Sequence, residues 1–317
     1  MAIKVRDYEV RLTRTKEERA DVRRLRYKIF VEEEGANASK EQQLLREEYD
    51  SYDRFADYMA VFHKGKIVGT YRIIDREAAE KMDGFYTETE FNLNKIKRVK
   101  GNIAEMSRAC VDPEYRDSLV MRMLWMGLGD YILKNKIVLI FGVASWTGKQ
   151  PGESAQAISY LYYNHLAPPS LRATVEVGKM DENVNPRFTK MNILPKDFVD
   201  ENLARKQMTP LVKGYLRLGA KVGKGVFVDA PFNSYDVFML MQTKNISKIY
   251  QKHFAGSPDA FDHLGIKPGA WKTFGKVLLS PVTGLFMLAE FFLKPEDAEA
   301  VERIEESDAR YEETNDF

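Results

Sequence analysis

A mixed α/β domain on one central sheet is the fold that this chain of 317 residues predicts, and three stretches predict it. Tyr8, Val10 and Leu12 alternate with polar residues, so residues 7–13 read as a half-buried strand. Residues 137–145, IVLIFGVAS, are apolar without a break, as expected of a central strand buried on both faces. Between them, Thr15 and Glu18 form a capping box that opens a helix through about Glu33, with Val22, Leu25 and Ile29 as its buried stripe.

The remaining elements follow in order. Residues 57–63 and 67–74 are two strands joined by a hairpin turn at Lys64-Gly65-Lys66. Residues 103–111, IAEMSRACV, are a strand that ends at Asp112-Pro113, and 119–134 are a Met- and Leu-rich helix. A helix is expected around 154–165 and a strand at 171–177. A polar connection, 178–208, leads to a helix at 210–218, and strands near 221–229 and 236–243 close the core. No repeat or low-complexity tract is evident. The organisation is a main domain over 1–245, an amphipathic helical extension over 246–294 and an acidic tail over 295–317.

Composition narrows the function. With 44% hydrophobic and 30% charged residues, global disorder is excluded. No continuous apolar run approaches the roughly 20 residues of a spanning helix. The start, MAIKVRDYEVRL, lacks an apolar signal core, so no export is expected. A single cysteine, Cys110, can form neither an internal disulfide nor a thiolate metal site, which fits a reducing cytosol. The net charge of +1 hides an asymmetry: residues 295–317 carry ten acids and two bases, leaving the rest near +9. A basic body points to an acidic partner: an anionic membrane, an acidic carrier protein or nucleic acid. Aromatics interleaved along a basic groove are not evident, which argues against nucleic acid.

Residues 271–293, WKTFGKVLLSPVTGLFMLAEFFL, are interrupted by Lys272, Lys276, Pro281 and Glu290, and the uncharged stretch 277–289 is too short to span. Two readings stand side by side. One is an interfacial segment with Trp271, Phe274, Phe286, Phe291 and Phe292 at the headgroup boundary; the other is a helix hairpin docked on the protein's own core.

Several familiar sites are absent. The histidines have Val68, Ser170, Pro258 and Pro268 five residues on, so none begins the His-x4-Asp motif of a glycerolipid acyltransferase. There is no nucleophile elbow, Walker loop, complete G-x-G-x-x-G or metal-ligand spacing, so no metal is expected. His165 ends a helix and Cys110 lies in an apolar strand, and both read as structural. What remains are charges inside apolar patterns: Arg26, four residues before Phe30, Arg72 in IVGTYRII, and Glu105 and Arg108 in IAEMSRACV. Buried charge is costly unless paired or used. Taken singly, Arg26 can cover a helix face and Glu105–Arg72 can be a structural ion pair. Glu105 and Arg108 fall on opposite faces of an ideal strand.

Together these residues resemble a family. LRYKIFVEEEG, YDSYDRFADY, GTYRI and AEMSRACVDPEYR resemble motifs of the acyl-homoserine-lactone synthases and, over far more of the chain, of the ornithine lipid N-acyltransferases (L-ornithine N-alpha-acyltransferases). FGVASWTG, AISYLYYNHLAPPSLR, PLVKGYLRLGAKVG and DAPFNSYDVFMLM extend the second resemblance across 8–241. Both groups belong to the GNAT superfamily. The resemblance implies a GNAT-like acyltransferase fold over 1–245. It implies transfer of a 3-hydroxyacyl chain from acyl carrier protein to the α-amine of L-ornithine, giving lyso-ornithine lipid. Glycine, glutamine or lysine acceptors, or an acyl-homoserine-lactone-type product, stay open on the same scaffold. A non-enzymatic, membrane-perturbing role through 271–293 is the remaining alternative.

The resemblance also implies roles. Glu105 is the general base, with an oxyanion donor at a bulge in the same strand; a bulge between Glu105 and Arg108, which would bring both to one face, is therefore expected. Arg26, Phe30 and Ser145 line the substrate site, Arg72 or Arg108 holds the amino acid carboxylate, and Asp50 or Asp53 takes a distal amine. The turn EYRDSLVMRMLW has no glycine to cradle a pyrophosphate, which suits the single phosphodiester of acyl-phosphopantetheine, with Arg116 and Arg122 at the acyl carrier protein. No bound cofactor is implied. The expected place is the cytoplasm, at the inner face of the cytoplasmic membrane.

Overall fold

A computed structural model of the chain describes residues 2–116, 118–148, 150–176 and 190–245. The expectations for 246–294, 271–293 and 295–317 lie outside the described residues, as does Val177 of the strand expected at 171–177. The strands are β1 (Ile3–Val5), β2 (Tyr8–Leu12), β3 (Asp57–His63), β4 (Lys66–Asp75), β5 (Phe91–Asn92), β6 (Asn102–Val111), β7 (Ile137–Thr147), β8 (Thr174–Val175), β9 (Lys221–Val222), β10 (Phe227–Asp229) and β11 (Ser234–Gln242). The helices are α1 (Lys16–Arg26), α2 (Lys40–Leu45), α3 (Arg76–Glu80), α4 (Asn94–Lys97), α5 (Ser118–Lys134), α6 (Ala155–Asn164), α7 (Glu201–Gln207) and α8 (Pro210–Arg217).

The main sheet runs β1-β2-β3-β4-β6-β7-β11-β10, with β9 also pairing to β11. Its ladders are antiparallel except β6–β7, which is parallel and ends at Glu105–Phe141. Beyond that pair β6 keeps β4 and β7 keeps β11, so the two strands fork in mid-sheet. Gly142 sits at the fork; a Cβ there would lie 2.2 Å from the Met106 carbonyl oxygen, so only glycine allows this approach. β5 and β8 form a separate two-stranded ribbon.

Period-2 alternation divides the sheet into two faces. On one, Val10, Val61, Ile73 and Met106 pack under α5, while Trp146, Val237 and Met239 join the core formed with α6 to α8. On the other, Val22, Leu25 and Ile29 of the first helix pack on Tyr58, Ala60 and Ile67, and Phe141 and Phe238 lie in the core with α3 and α4. The register puts Arg72, Glu105, Ser107, Ser145 and Asp236 all on this second face.

Local chemistry explains most boundaries. Thr15 Oγ1 accepts from the Glu18 N–H at 3.1 Å and starts α1, while the Glu18 carboxylate turns to Arg11 and the Arg14 N–H. Lys64 and Gly65 both have positive φ, 50° and 85°, as a two-residue hairpin turn matching the strand twist requires. The helix expected to reach Glu33 is α-helical only to Arg26; residues Tyr27–Glu33 continue it as a π-helix. The expected strand at 221–229 is two short strands, β9 and β10, broken at Gly223 to Val226. The polar connection expected through 208 contains α7, whose first turn is capped by Asp200 accepting from the Leu203 N–H.

Candidate active site

The arginines singled out in the sequence meet on one face of the sheet. The register between β4 and β6 shifts between Thr70 and Arg72, and Arg108 has φ 51°, so the expected bulge falls at Arg108 itself. That turn brings Arg108 to the side already carrying Arg72. A non-glycine residue there stores strain of order 1–3 kcal/mol, which the surrounding contacts must offset.

Three guanidinium groups interleave with three carboxylates. Arg26, fully buried, pairs with Glu48, donates to Asp53 at 2.8 Å and lies 3.4 Å from the Tyr58 hydroxyl. Arg72, also fully buried, donates to Asp50 at 2.6 Å, Asp53 at 3.0 Å and Ser107 Oγ at 3.0 Å. Arg108 donates to Asp50 at 3.1 Å, lies 3.4 Å from Glu48 and is stacked between the Tyr86 and Phe232 rings, 4.4 and 4.3 Å from their centres. Phe30 stands behind, edge-on to Phe232 at 6.1 Å. The formal charges balance. Three donors remain over: Arg26 Nη2, Arg72 Nη2 and Arg108 Nε are buried without a hydrogen-bond partner among the described residues.

Glu105 shares this face and is fully buried. Its Oε2 accepts from the Thr87 N–H at 2.9 Å, and Oε1 has no partner among the described residues. Burial pushes its pKa up, opposed by the Arg72 charge and the Thr87 N–H. Arg72 therefore acts on Glu105 through its field, while its ion pairs go to Asp50 and Asp53 rather than to Glu105 as the simple pairing expected. Every oxygen of those two aspartates accepts at least one hydrogen bond. Asp53 Oδ1 serves Arg26 and Arg72 and its Oδ2 the Asp50 N–H; Asp50 Oδ1 serves Arg72 and the Tyr52 N–H, and its Oδ2 Arg108. In this arrangement they position the arginines.

Other expected residues fall elsewhere. Ser145 is exposed on β7, opposite Asp236 on β11, and hydrogen-bonds to its carboxylate. Arg116 makes a bidentate pair with Glu33 at 2.6 and 2.7 Å, and Arg122 is half-buried on α5, across the sheet; neither joins the cluster. Burial pushes the Cys110 thiol up, away from thiolate chemistry, and His165 caps the end of α6.

Two features were not anticipated. Glu90, Asp229 and Asp236, all buried, bring oxygens within 4.8 Å of one another. And an apolar cavity of about 80 Å³ opens on the α5 face, lined by Tyr71, Met106, Trp125, Gly142, Tyr215 and Met239 among others. Phe141, Gly142 and Val143 of β7 also line it, so it reaches the fork whose other face carries Glu105. Among the described residues no helix is long and apolar enough to cross a membrane.

Residues 25–126, which include α1's end, β4, Glu105 and the bulge, match the family model of an acetyltransferase (GNAT) domain. An L-ornithine N(alpha)-acyltransferase of Rhodobacter capsulatus is 34% identical over 261 residues, 80% of this chain and 97% of that protein. Its namesake in Brucella abortus is 33% identical over 263 residues, 80% of this chain and 90% of its own length. Among solved structures, an N-acyl amino acid synthase from uncultured soil microbes aligns with a TM-score of 0.43 at 12% identity, covering 77% of this chain and 97% of its own. A CoA-dependent acyl-homoserine lactone synthase aligns with a TM-score of 0.41 at 16% identity, covering 84% and 100%. With a GNAT domain around the arginine network and relatives matched along nearly their whole length, this chain is an acyltransferase and belongs to the L-ornithine N(alpha)-acyltransferase family.

Proposed function

We propose that the protein transfers an acyl chain from a thioester to the α-amine of ornithine, with 3-hydroxyacyl acyl carrier protein as donor and lyso-ornithine lipid as product. The observation that carries the reading is Glu105: a fully buried carboxylate at the end of the β6–β7 ladder, held by the Thr87 N–H and beside the Ser107 hydroxyl. The names of the relatives support the acceptor.

The chemistry follows from what each group can do. The α-ammonium must lose a proton before it can attack, and the Glu105 carboxylate is the acceptor; a pKa raised by burial makes it a stronger base than an exposed glutamate. The amine nitrogen then forms a bond to the thioester carbonyl carbon, the C–S bond breaks and the thiol leaves with a proton. No enzyme nucleophile is needed. The forked strand leaves backbone N–H groups of β6 without a β7 partner, which suits them to the developing oxyanion. The orphaned donors of Arg72 and Arg108 suit the α-carboxylate. The apolar cavity suits the acyl chain, whose carbonyl would meet the amine at the fork. The basic body, with Arg116 and Arg122, suits an acidic carrier, and residues 271–293 would hold the enzyme at the inner membrane face, where the product belongs.

Glu105→Gln tests the core of this. It should fold normally and lower turnover by about 10²- to 10⁴-fold. The wild-type rate should rise with pH as Glu105 ionises, and the variant should lose that limb. Near-normal turnover with an unchanged pH profile refutes the assignment. For the donor, rates with acyl carrier protein should fall steeply with salt and exceed those with acyl-coenzyme A.

A further inference from the structure

In the arginine network Asp50 and Asp53 already serve Arg26, Arg72 and Arg108. The same face of the sheet offers another site. Glu90 follows the short turn Tyr86–Thr89, Asp229 ends β10 and Asp236 lies on β11, at 2%, 7% and 2% exposure. One oxygen from each lies within 4.8 Å of the others. Neither oxygen of Glu90 has a hydrogen-bond partner among the described residues. Asp229 accepts from the Phe232 N–H at 3.3 Å, and Asp236 from Ser234 at 3.2 Å and from Ser145. The guanidinium whose field reaches all three, that of Arg108, makes its ion pairs with Asp50 and Glu48.

Three carboxylates thus face one another under cover with no bonded cation among the described residues. Such an arrangement is expensive when ionised. The protein shows the strain: burial and mutual repulsion push Glu90 well up and Asp236 up to about 7. A ligand cation removes it. Three acceptor groups match the three N–H donors of an alkylammonium.

We propose that Glu90, Asp229 and Asp236 bind the distal ammonium of the acceptor, so that the pocket selects diamino acids. This rests on the amino acid N-acylation reading above and names the residues that set its specificity. The connections place it correctly. Thr87, in the turn just before Glu90, holds Glu105, and Glu105 and Glu90 feel each other's charge. Phe232, whose N–H holds Asp229, stacks on Arg108. An acceptor with its carboxylate at Arg72 and Arg108 and its α-amine at Glu105 therefore has its side chain next to the acidic pocket. Ser145, which bonds Asp236, is exposed, so the acidic cluster lies one residue from solvent. Glycine and glutamine would leave the carboxylates unpaired.

The test uses the full chain with an acyl-thioester donor and measures kcat/KM for L-ornithine and for L-norvaline, which has the same carbon skeleton without the distal amine. The wild-type enzyme should prefer ornithine strongly. Glu90→Gln and Asp236→Asn, near-isosteric changes, should each lower the ornithine-to-norvaline ratio by about 10- to 100-fold. If one variant fails to fold, the other decides. Thermal unfolding of the wild type gives a reading independent of both: ornithine should raise Tm and norvaline should not. A wild-type ratio in the folded variants overturns the proposal while leaving ornithine acylation intact. So does loss of the wild-type preference on chelation with recovery on adding magnesium, which would make the cluster a metal site. Failure of the wild type to acylate either amino acid sinks this proposal and the reading beneath it together.

Discussion

Asp53 is the keystone of the arginine network, and its removal has a magnitude that can be worked out. It is 7% exposed and accepts from Arg26 at 2.8 Å, from Arg72 at 3.0 Å and from the Asp50 N–H at 3.0 Å. With Asp53→Ala, three buried cations face two carboxylates. Arg26 keeps Glu48 and Arg72 keeps Asp50, so neither is stranded, but each loses a charge-assisted bond. Breaking a buried pair in this way costs about 3–5 kcal/mol. At about 2–4 °C per kcal/mol for a domain of this size, Tm should fall by about 6–20 °C. Asp53→Asn keeps the acceptor oxygen and should lose less. Burial opposes ionisation of Asp53, but Arg26 and Arg72 outweigh it and hold its pKa well below the usual carboxylate range. A depressed folded pKa contributes stability that is present above the unfolded value near 4 and is lost as pH falls toward the folded one. The gap between wild type and Asp53→Asn should therefore be widest at neutral pH and narrow below about pH 4. Urea unfolding at pH 7 and at pH 3.5 measures it. A loss under about 1 kcal/mol for Asp53→Ala at pH 7, or a gap that does not change with pH, would refute the reasoning.

Gly142→Ala should push β6 and β7 apart at the fork, because the new Cβ would lie 2.2 Å from the Met106 oxygen; about 1–3 kcal/mol of stability and most of the turnover should go, and wild-type Tm and rate would show the fork is not tight. Arg116→Ala breaks a half-exposed pair with Glu33 and should change stability by less than about 1 kcal/mol while raising KM for acyl carrier protein several-fold, so an unaltered KM removes Arg116 from that surface. The full chain should co-sediment with anionic liposomes and a shortened chain ending near residue 250 should not; equal behaviour would count against a membrane role for residues 271–293.

Most of the sheet could be read from the chain because its strands have a period that shows. Tyr8, Val10 and Leu12 alternate, and the run from Ile137 is apolar enough to be nothing else, although the strand extends to Thr147. The π-helix at Tyr27–Glu33 is invisible to such reasoning, since an apolar stripe does not record whether N–H groups bond four or five residues back. α7 was missed because it buries only Ala204 and so has no stripe, although Asp200 is an ordinary cap. In the site, Arg26, Arg72, Glu105 and Arg108 stood out as charges inside apolar elements. Asp236 satisfies the same criterion, in SYDVFMLM, and that signal was there to be used. Glu90 was not legible: it lies in the polar run TETEFN, and its burial beside Asp229 and Asp236 is a matter of tertiary packing.

The order of the strands has a consequence for biosynthesis. β11 lies between β7 and β10, and its ladder with β7 joins residues about a hundred positions apart in sequence. Asp236 arrives with it, and so does the inner edge that β9 and β10 need. A chain emerging from the ribosome must therefore hold the apolar β7 with one side unpaired until almost the whole body has been made. Non-local pairing of this kind is slow, and it exposes an edge that aggregates or calls for a chaperone while it waits. The same delay falls on the acidic cluster: Asp236, its last member, is delivered by the strand that completes the sheet, so a partly made chain lacks the complete cluster.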